Sequence, residues 1–581
     1  MSREAASSMG PETGQWVNFA LRCVAALVAL VFAQWVLVPG FLALDVPSHS
    51  DLWRYYATAH DMPLRTAVVS PRPLMVVALH VLSVIESPRL FFFVLNLPAV
   101  LFVASLSMAA GRFTRLATSH VVFFLLCLMI FGTPTFYELN PLDYGGLLSG
   151  VFFAFEVLLL CHARDRATDG DPLKYWALVA GSALLGYLSF ETKPTFAALI
   201  PLAPIVLCER YSARKIMGVC GACAGVIVLS VAKDVLLKSP FIDVSDGASP
   251  YKVGTSPVIV LEAASFYVRK IFIWPLIPIA AFGMWRAWRH GRMMFCVTLL
   301  APILAVLPMC AIPSRLLEMY SWYGTAVLGV LLASLFSVRG QKWVRWIASV
   351  LVVIGFAAGV MGADRKGREA QWTISNHLLN SATLRGLEAL QSRITPRERI
   401  LVTGTLGPFS PFNNDRFIAT TTPVRFSWNV AYPPAREALV RISHDSALHI
   451  PRASVDFRAY DRVAIFGAGG ELAELRPASE FLSMPDYDIA LLFYCRDGLD
   501  SKDQKLPQAL ECLNQFGEYA AAESYGQRMG ESSGNQWVWY WTGRASEALG
   551  HSSEAFKAYE KAASIERAAV FVDAAERVKG G

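Results

Sequence analysis

Long apolar segments separated by short polar loops constrain the fold of this chain more than any other feature. Eleven segments of 13 to 23 residues fall within residues 16–361, and a helix needs about 20 apolar residues to cross a membrane. With 54% hydrophobic and 17% charged residues, the chain is too apolar for a soluble protein of several domains. The sequence therefore predicts a polytopic α-helical membrane protein with about 11 transmembrane helices, at 16–38, 90–110, 116–131, 144–161, 176–190, 195–207, 216–231, 271–285, 293–311, 320–336 and 346–361.

The positive charges predict the orientation of these helices. Residues 73–85 form an apolar run of 13 residues, which suits an interfacial helix better than a full crossing. If this run does not cross, five loops on one side hold 14 Lys and Arg residues, as cytoplasmic loops do. The longer loop 232–270 is an exception on the opposite side. We therefore expect a cytoplasmic N-terminus, with the first loop (39–88) and everything after residue 361 on the outer face. The net charge of +6 then reflects cytoplasmic loops, and no nucleic-acid partner is predicted.

From residue 362 the composition becomes that of a soluble region, after a charged linker at 364–369. Apolar runs at 399–405, 462–466 and 487–494 have the composition of strands and alternate with polar or helical stretches, which predicts an extracytoplasmic α/β domain over 364–508. The glycine-rich piece 467–470 could form a phosphate-binding turn, but it lacks the full glycine fingerprint and is interpreted as a turn from a strand into a helix. Cys495 and Cys512 lie in this exported part and could form a disulfide.

Residues 509–581 are predicted to be helical. The stretch 535–566 resembles one tetratricopeptide repeat in its spacing of small and apolar residues. Such a helix pair packs and binds, so a docking or capping role with a protein partner is expected. The matching positions are Trp541, Gly543, Ala545, Leu549, Gly550, Ala555, Tyr559 and Ala562.

The loop 39–88 concentrates charged and aromatic residues between apolar segments. Ionisable groups at a membrane are costly and usually functional. Here they include Asp45, His49, Asp51, Arg54 and Tyr55. We therefore expect a catalytic carboxylate in this loop, held against a substrate that the membrane helices bind.

Four motifs resemble those of lipid-dependent glycosyltransferases of the GT-C fold, particularly bacterial protein O-mannosyltransferases and aminoarabinose transferases. The first motif is SDLWRYYATAHDM followed by SPRPLMVVALHVL. In it, Asp51 takes the acidic position, Tyr55 the aromatic one and Arg72 the basic position before a proline. The sequence departs from the family pattern at two positions: Leu52 stands where the family usually has a second acidic residue, and Arg72 stands where Lys is common. The later motifs are NPLDYGG with Asp143, ETKP with Glu191 and Lys193, and SRLLEMY with Arg315 and Tyr320.

The resemblance covers residues 16–361 and implies a catalytic module over 1–363 in a bacterial-type inner membrane. It implies a polyprenyl-phosphate-linked sugar as donor, a lipid, glycan or protein as acceptor, and no certain cofactor. Asp51 would be the general base, and Asp143 would be a second catalytic carboxylate. Cations would stabilise the departing phosphate, and other residues would line the substrate. The cations are Arg54, Arg72, Lys193 and Arg315; the lining residues are Tyr55, Tyr320, Glu191, Asp45 and His49.

Each of these residues also has a structural interpretation. Asp51 and Asp143 could cap the helices that follow them, and Lys193 and Arg315 could extend along apolar surface to the interface. Tyr55 and Tyr320 could belong to an aromatic belt. A divalent metal bound by His49, His60 and Asp51 is another alternative.

Two other functions remain open. A transporter or flippase of an envelope lipid would have broken helices and charges at mid-membrane depth. A non-catalytic membrane scaffold would have no open cavity beneath the first outer loop.

Overall fold

The computed structural model divides into two compact units, Met1–His377 and Leu378–Gly581. It describes residues 11–37, 43–46, 50–61, 63–64, 72–116, 120–139, 142–166, 172–209, 212–236, 256–272, 277–312, 316–336, 342–367, 371–395, 398–404, 457–466, 470–483, 506–515, 517–566 and 568–579.

In the described residues of the first unit, all regular secondary structure is helical. Its α-helices are α1 (Pro11–Leu37), α2 (Ser50–Asp61), α3 (Pro73–Val81), α4 (Pro88–Val94), α5 (Leu97–Thr114), α6 (His120–Phe131), α7 (Pro134–Leu139), α8 (Tyr144–Arg166), α9 (Pro172–Thr192), α10 (Ala213–Leu236), α11 (Pro257–Ile271), α12 (Ile277–His290), α13 (Arg292–Leu304), α14 (Leu307–Cys310), α15 (Ser321–Phe336) and α16 (Lys342–Gly367). The helix α17 (Gln371–Gln391) contains the boundary between the two units.

Six stretches of the described residues are long and apolar enough to span a membrane. They are Gly14–Val36, Pro88–Thr114, Tyr144–Arg166, Leu173–Thr192, Ala213–Ala232 and Glu318–Phe336. Pro73–Val84, His120–Phe131 and Arg292–Leu304 are shorter apolar helices. The chain thus has the helices of a membrane protein, while the number of crossings and their orientation remain predictions.

Helix α15 lies at the centre of the first unit, since every one of its residues is buried. The indole of Trp322 donates a hydrogen bond to the Ile130 carbonyl at 3.1 Å, which ties α15 to α6. In α9 and α10, by contrast, only 22% of the apolar span is covered by protein. Apolar surface left open in this way is typical of helices that face lipid.

One predicted crossing is not an α-helix. Residues 195–207 fall in two 3₁₀ pieces, Pro194–Phe196 and Ile200–Glu209. Pro201 and Pro204 explain the difference, because proline has no N–H for the α-helical hydrogen bond and clashes with the preceding turn. The predicted loop 232–270 also differs in part, since α11 begins within it at Pro257, where proline suits a first helical turn.

The second unit contains a three-stranded sheet. Strands β1 (Ile400–Gly404) and β2 (Arg462–Phe466) are parallel, and β3 (Leu472–Pro477) pairs with β2 antiparallel. Two of the predicted strands are therefore present, and the third, at 487–494, lies outside the described residues. The interpretation of 467–470 as a strand-to-helix turn is wrong, because the chain enters β3 after it. Gly470 has φ +85°, which favours glycine for this reversal.

After β3, the described part of the second unit contains five α-helices: α18 (Leu506–Gln515), α19 (Tyr519–Ser533), α20 (Gln536–Ala548), α21 (Ser552–Ile565) and α22 (Ala569–Lys579). A Cβ at Gly543 would lie 2.7 Å from the Tyr559 ring, so α20 and α21 approach closely only because this residue is small. The helix pair has the predicted positions, while its assignment as a tetratricopeptide repeat stays a prediction. Cys512 is disulfide-bonded, and Cys495 lies outside the described residues.

Candidate functional site

The candidate site is built around Asp143, which directly precedes α8 and is 4% exposed. Its Oδ1 accepts a hydrogen bond from the Gly146 N–H at 3.2 Å. Asp143 therefore caps α8, because it satisfies one of the N–H groups that the first helical turn leaves unpaired. The capping interpretation of this residue is confirmed, but it uses only part of the carboxylate.

Two further side chains hold the same carboxylate. Lys193 Nζ lies 2.5 Å from Asp143 Oδ1, and the Tyr323 hydroxyl donates to Oδ2 at 2.6 Å. The side chains of Asp143 and Lys193 are only 5% and 10% exposed. This is a buried ion pair with an added phenol donor, in which each carboxylate oxygen has a partner.

The charge state of Asp143 follows from this environment. Burial by itself raises the pKa of an acid, and burial is the largest influence here. The charge and hydrogen bond of Lys193, the Tyr323 hydroxyl and the charge of Arg72 outweigh it and hold the pKa of Asp143 below its ordinary value of 3.8. Asp143 is therefore ionised at neutral pH, with Lys193 as its counter-ion.

The loop 39–88 also reaches this site. The Tyr55 hydroxyl donates to the Leu142 carbonyl at 2.9 Å, and its ring centroid lies 6.4 Å from that of Tyr144. Arg72 is the residue before Pro73 at the N-terminus of α3. Helices α2 and α3 therefore bring their motif residues to the N-terminal end of α8.

Lys193 makes a second contact that links it to the late motif. Its Nζ lies 5.1 Å from the centroid of the Tyr320 ring, within the range of a cation–π interaction. The backbone of Lys193 is held as well, since Ser149 Oγ donates a hydrogen bond to the Lys193 carbonyl at 2.8 Å. The position of the ammonium is therefore determined from both ends of the residue.

The structure thus brings together one group of the predicted site residues: Tyr55, Arg72, Asp143, Lys193 and Tyr320. Two others are placed elsewhere. Glu191 accepts a hydrogen bond from Ser230 on α10, and Asp45 forms an ion pair with Arg89 at 3.0 Å with both side chains about one-third exposed.

The remaining predicted residues are not described. His49 and Arg315, and the side chains of Asp51 and Arg54, lie outside the described part. The alternative of a metal site depends on His49 and on the side chain of Asp51, so it also lies outside the described part. Within the described residues, no three His, Cys, Asp or Glu side chains form a group that could hold a metal ion.

An apolar cavity of about 240 Å³ lies next to the part of α15 that follows Tyr323. Val327 and Leu331 line it, four and eight residues beyond Tyr323 in α15, which is about 6–12 Å along the helix. Leu106, Phe153, Leu199, Val206, Val297 and Leu300 are among its other walls. A wider groove between α6 and α16, lined by Val121, Trp346 and Val353, contains none of the predicted site residues.

The sequence analysis missed Tyr323 and Gly146. Tyr323 follows Tyr320 by three residues, a spacing that places both on one side of a helical stretch. Gly146 follows Asp143 by three residues, the spacing at which a capping carboxylate meets an N–H. Both signals were present, but neither distinguishes a buried network from an ordinary helix start.

Replacing Gly146 by Ala tests how tightly this network is packed. The added Cβ would collide with the Tyr323 hydroxyl and with Asp143 Oδ2, so we expect a loss of about 1–3 kcal/mol in the free energy of unfolding. Thermal unfolding in detergent measures it. Gly218→Ala is the matched control, because nothing lies within 4 Å of its Cβ; equal effects of the two changes would contradict the described packing.

The comparisons with known proteins identify no family. No family model matches the chain, and no curated protein matches it.

Proposed function

We propose that this protein is an integral-membrane glycosyltransferase that moves a sugar from a polyprenyl-phosphate donor to a cell-envelope acceptor at the outer face. The observation that supports this most is the cluster of Tyr55, Arg72, Asp143, Lys193 and Tyr320. These residues come from all four motifs that resemble GT-C transferases, and they are far apart in the chain. A shared site explains why they meet.

Asp51 is the proposed general base. It precedes Tyr55 by four residues in α2, which is about one helical turn along the backbone. The Tyr55 hydroxyl is hydrogen-bonded to the carbonyl of Leu142, the residue before Asp143. The backbone of Asp51 therefore lies one helical turn from the part of α2 that contacts the site. A carboxylate in this place can take the proton from an acceptor hydroxyl or amine.

The transfer then proceeds as a single displacement. The acceptor oxygen or nitrogen attacks the anomeric carbon, its proton passes to Asp51, and the bond from that carbon to the phosphate oxygen breaks. The expected outcome is inversion at the anomeric carbon, since a retaining enzyme would need a second carboxylate about 5 Å away as nucleophile.

The basic residues have a role in stabilising the departing phosphate. Arg72 and Lys193 lie near Asp143, and Arg54 and Arg315 join them by resemblance. Asp143 fixes Lys193 in place, so the cation needs no reorganisation as charge develops on the leaving group. One such contact can be worth about 3 kcal/mol of transition-state stabilisation. The apolar cavity supplies space for part of the polyprenyl chain.

We also propose that the second unit lies outside the cytoplasm. The disulfide at Cys512 supports this, because disulfides persist in oxidising compartments and are rare in the cytosol. In this arrangement, the helices α18–α22 would be available to a protein partner near the acceptor.

A donor-consumption assay tests the proposal. The full-length protein is reconstituted in proteoliposomes with polyprenyl-phosphate mannose, glucose or aminoarabinose and an envelope extract as acceptor source. We expect one donor to be converted to polyprenyl phosphate, detected by mass spectrometry. Glu262→Gln, which changes an exposed carboxylate of α11, is the control expected to retain full turnover.

A lipid transporter is the second candidate, because one acid lies midway along α8 and a proline-interrupted 3₁₀ segment lies beside it. The same proteoliposomes distinguish the two. If a fluorescent polyprenyl phosphate crosses the bilayer while no donor is consumed, the transferase proposal is wrong and transport replaces it.

A further inference from the structure

Glu156 has no part in the site described above. It lies midway along α8, in a stretch apolar and long enough to span a membrane. Its side chain is fully buried, and neither carboxyl oxygen has a hydrogen-bond partner among the described residues. An ionisable residue at this depth is costly, so an unpaired one indicates a function.

The surroundings of Glu156 are apolar and closely packed. A Cβ added at Gly186 of α9 would lie 3.0 Å from Glu156 Oε1 and 2.9 Å from the Ile200 side chain. Among the described residues, the thiol of Cys223 on α10 is a titratable group that faces it. The charged residues of α9, Lys174 and Glu191, lie about 18 Å and 7.5 Å from Gly186 along the helix axis.

The packing limits what can bind here. An isolated carboxylate in an apolar interior costs many kcal/mol, so such a group takes up a proton instead. A metal cation would need about six oxygen ligands, and no three acidic, His or Cys side chains cluster within the described residues. A proton needs no added space, and it is the ligand that fits.

We propose that Glu156 is a proton-binding site inside the membrane-spanning part of this protein. The carboxyl is neutral in the packed arrangement and loses its proton only when one of its walls moves away. The wall formed by the 3₁₀ segment Ile200–Glu209 is the one suited to move, because Pro201 and Pro204 weaken its hydrogen bonding. This site does not depend on sugar transfer.

Infrared spectroscopy of the full-length protein in nanodiscs tests the proposal directly. At pH 8 an ordinary Glu, with a pKa near 4.3, is ionised. We expect a carbonyl band of a protonated carboxyl in the wild type that is lost in Glu156→Gln. Glu191→Gln, which changes a buried acid that has a Ser230 partner, should retain the band. A band unchanged by Glu156→Gln would overturn the proposal.

Two further readouts use the same variants. Dicyclohexylcarbodiimide adds to protonated carboxyls in apolar sites: the carboxyl oxygen bonds to its central carbon, the proton passes to nitrogen, and an acyl shift gives a stable adduct. Labelling of Glu156 at pH 8, located by peptide mass spectrometry, would support the proposal. The neutral Gln should also keep the melting temperature within about 3 °C of wild type, whereas a drop of more than about 8 °C would indicate an ionised carboxylate with a counter-ion and contradict it.

Discussion

Replacing Asp51 by Asn is expected to reduce sugar transfer by about 10²–10⁴-fold, the usual contribution of a general base. Asn has nearly the shape of Asp but cannot take a proton at neutral pH. The measurement is the initial rate of donor consumption in proteoliposomes, at saturating acceptor. Because proton transfer belongs to the chemical step, the loss should appear in kcat and not in KM.

This substitution also separates catalysis from helix capping. Asp51 is the second residue of α2, which begins at Ser50, and an acidic residue in a first turn stabilises a helix by about 0.3–1 kcal/mol. We therefore expect Asp51→Asn and Asp51→Ala each to lower the melting temperature only slightly. Wild-type turnover in Asp51→Asn would remove Asp51 from the mechanism.

Replacing Lys193 by Met is expected to cost about 3–5 kcal/mol of the free energy of unfolding. The Met side chain fills similar space but leaves the buried Asp143 carboxylate without its counter-ion, and removing one partner of a buried pair carries this penalty. Thermal and denaturant unfolding in detergent measure the change. Sugar transfer should also fall, because the cation nearest Asp143 is lost.

Two control variants identify the cause. Lys270→Met breaks a pair with Glu318 of similar length, 2.9 Å, but with about 30% exposure on both sides, so it should cost at most about 1 kcal/mol. The double change Asp143→Asn with Lys193→Met removes both charges and should recover part of the loss. If the double variant is no more stable than Lys193→Met alone, the penalty does not come from an unpaired carboxylate.

The pH dependence gives a second readout of the same pair. In the wild type the pKa of Asp143 is lowered, so its contribution to stability is present above its unfolded pKa of about 3.9 and is lost as the pH falls further. Without Lys193, burial dominates and raises this pKa. The stability of the variant is then greatest at low pH and declines as the pH rises. Lys193→Met should therefore be more stable at pH 5 than at pH 8. In the wild type, the contribution of Asp143 to stability should be the same at both pH values.

The predictable part of this protein is the part set by local composition. Apolar segments long enough to cross a membrane specified helices, because in lipid a chain must satisfy its own backbone hydrogen bonds. The segment 195–207 was an exception. It is apolar enough to predict a crossing helix, but Pro201 and Pro204 have no N–H for α-helical hydrogen bonds, and the chain forms 3₁₀ turns there. Strands β1 and β2 were also recognisable, each as a short apolar run bounded by polar residues.

The candidate site was only partly predictable. In the loop 39–88, Tyr55 and Arg72 were noticeable because charged and aromatic residues beside apolar segments are costly and usually functional. Asp143, Lys193 and Tyr320 were chosen only because their motifs resemble those of GT-C transferases. Three features were decided by the tertiary structure alone: Lys193 meets Asp143, Tyr323 donates to the same carboxylate, and Glu156 has no hydrogen-bond partner among the described residues. The two contacts join residues 50 and 180 positions apart, and the surroundings of Glu156 depend on how α8, α9 and the 3₁₀ segment pack. No local pattern in the sequence encodes either.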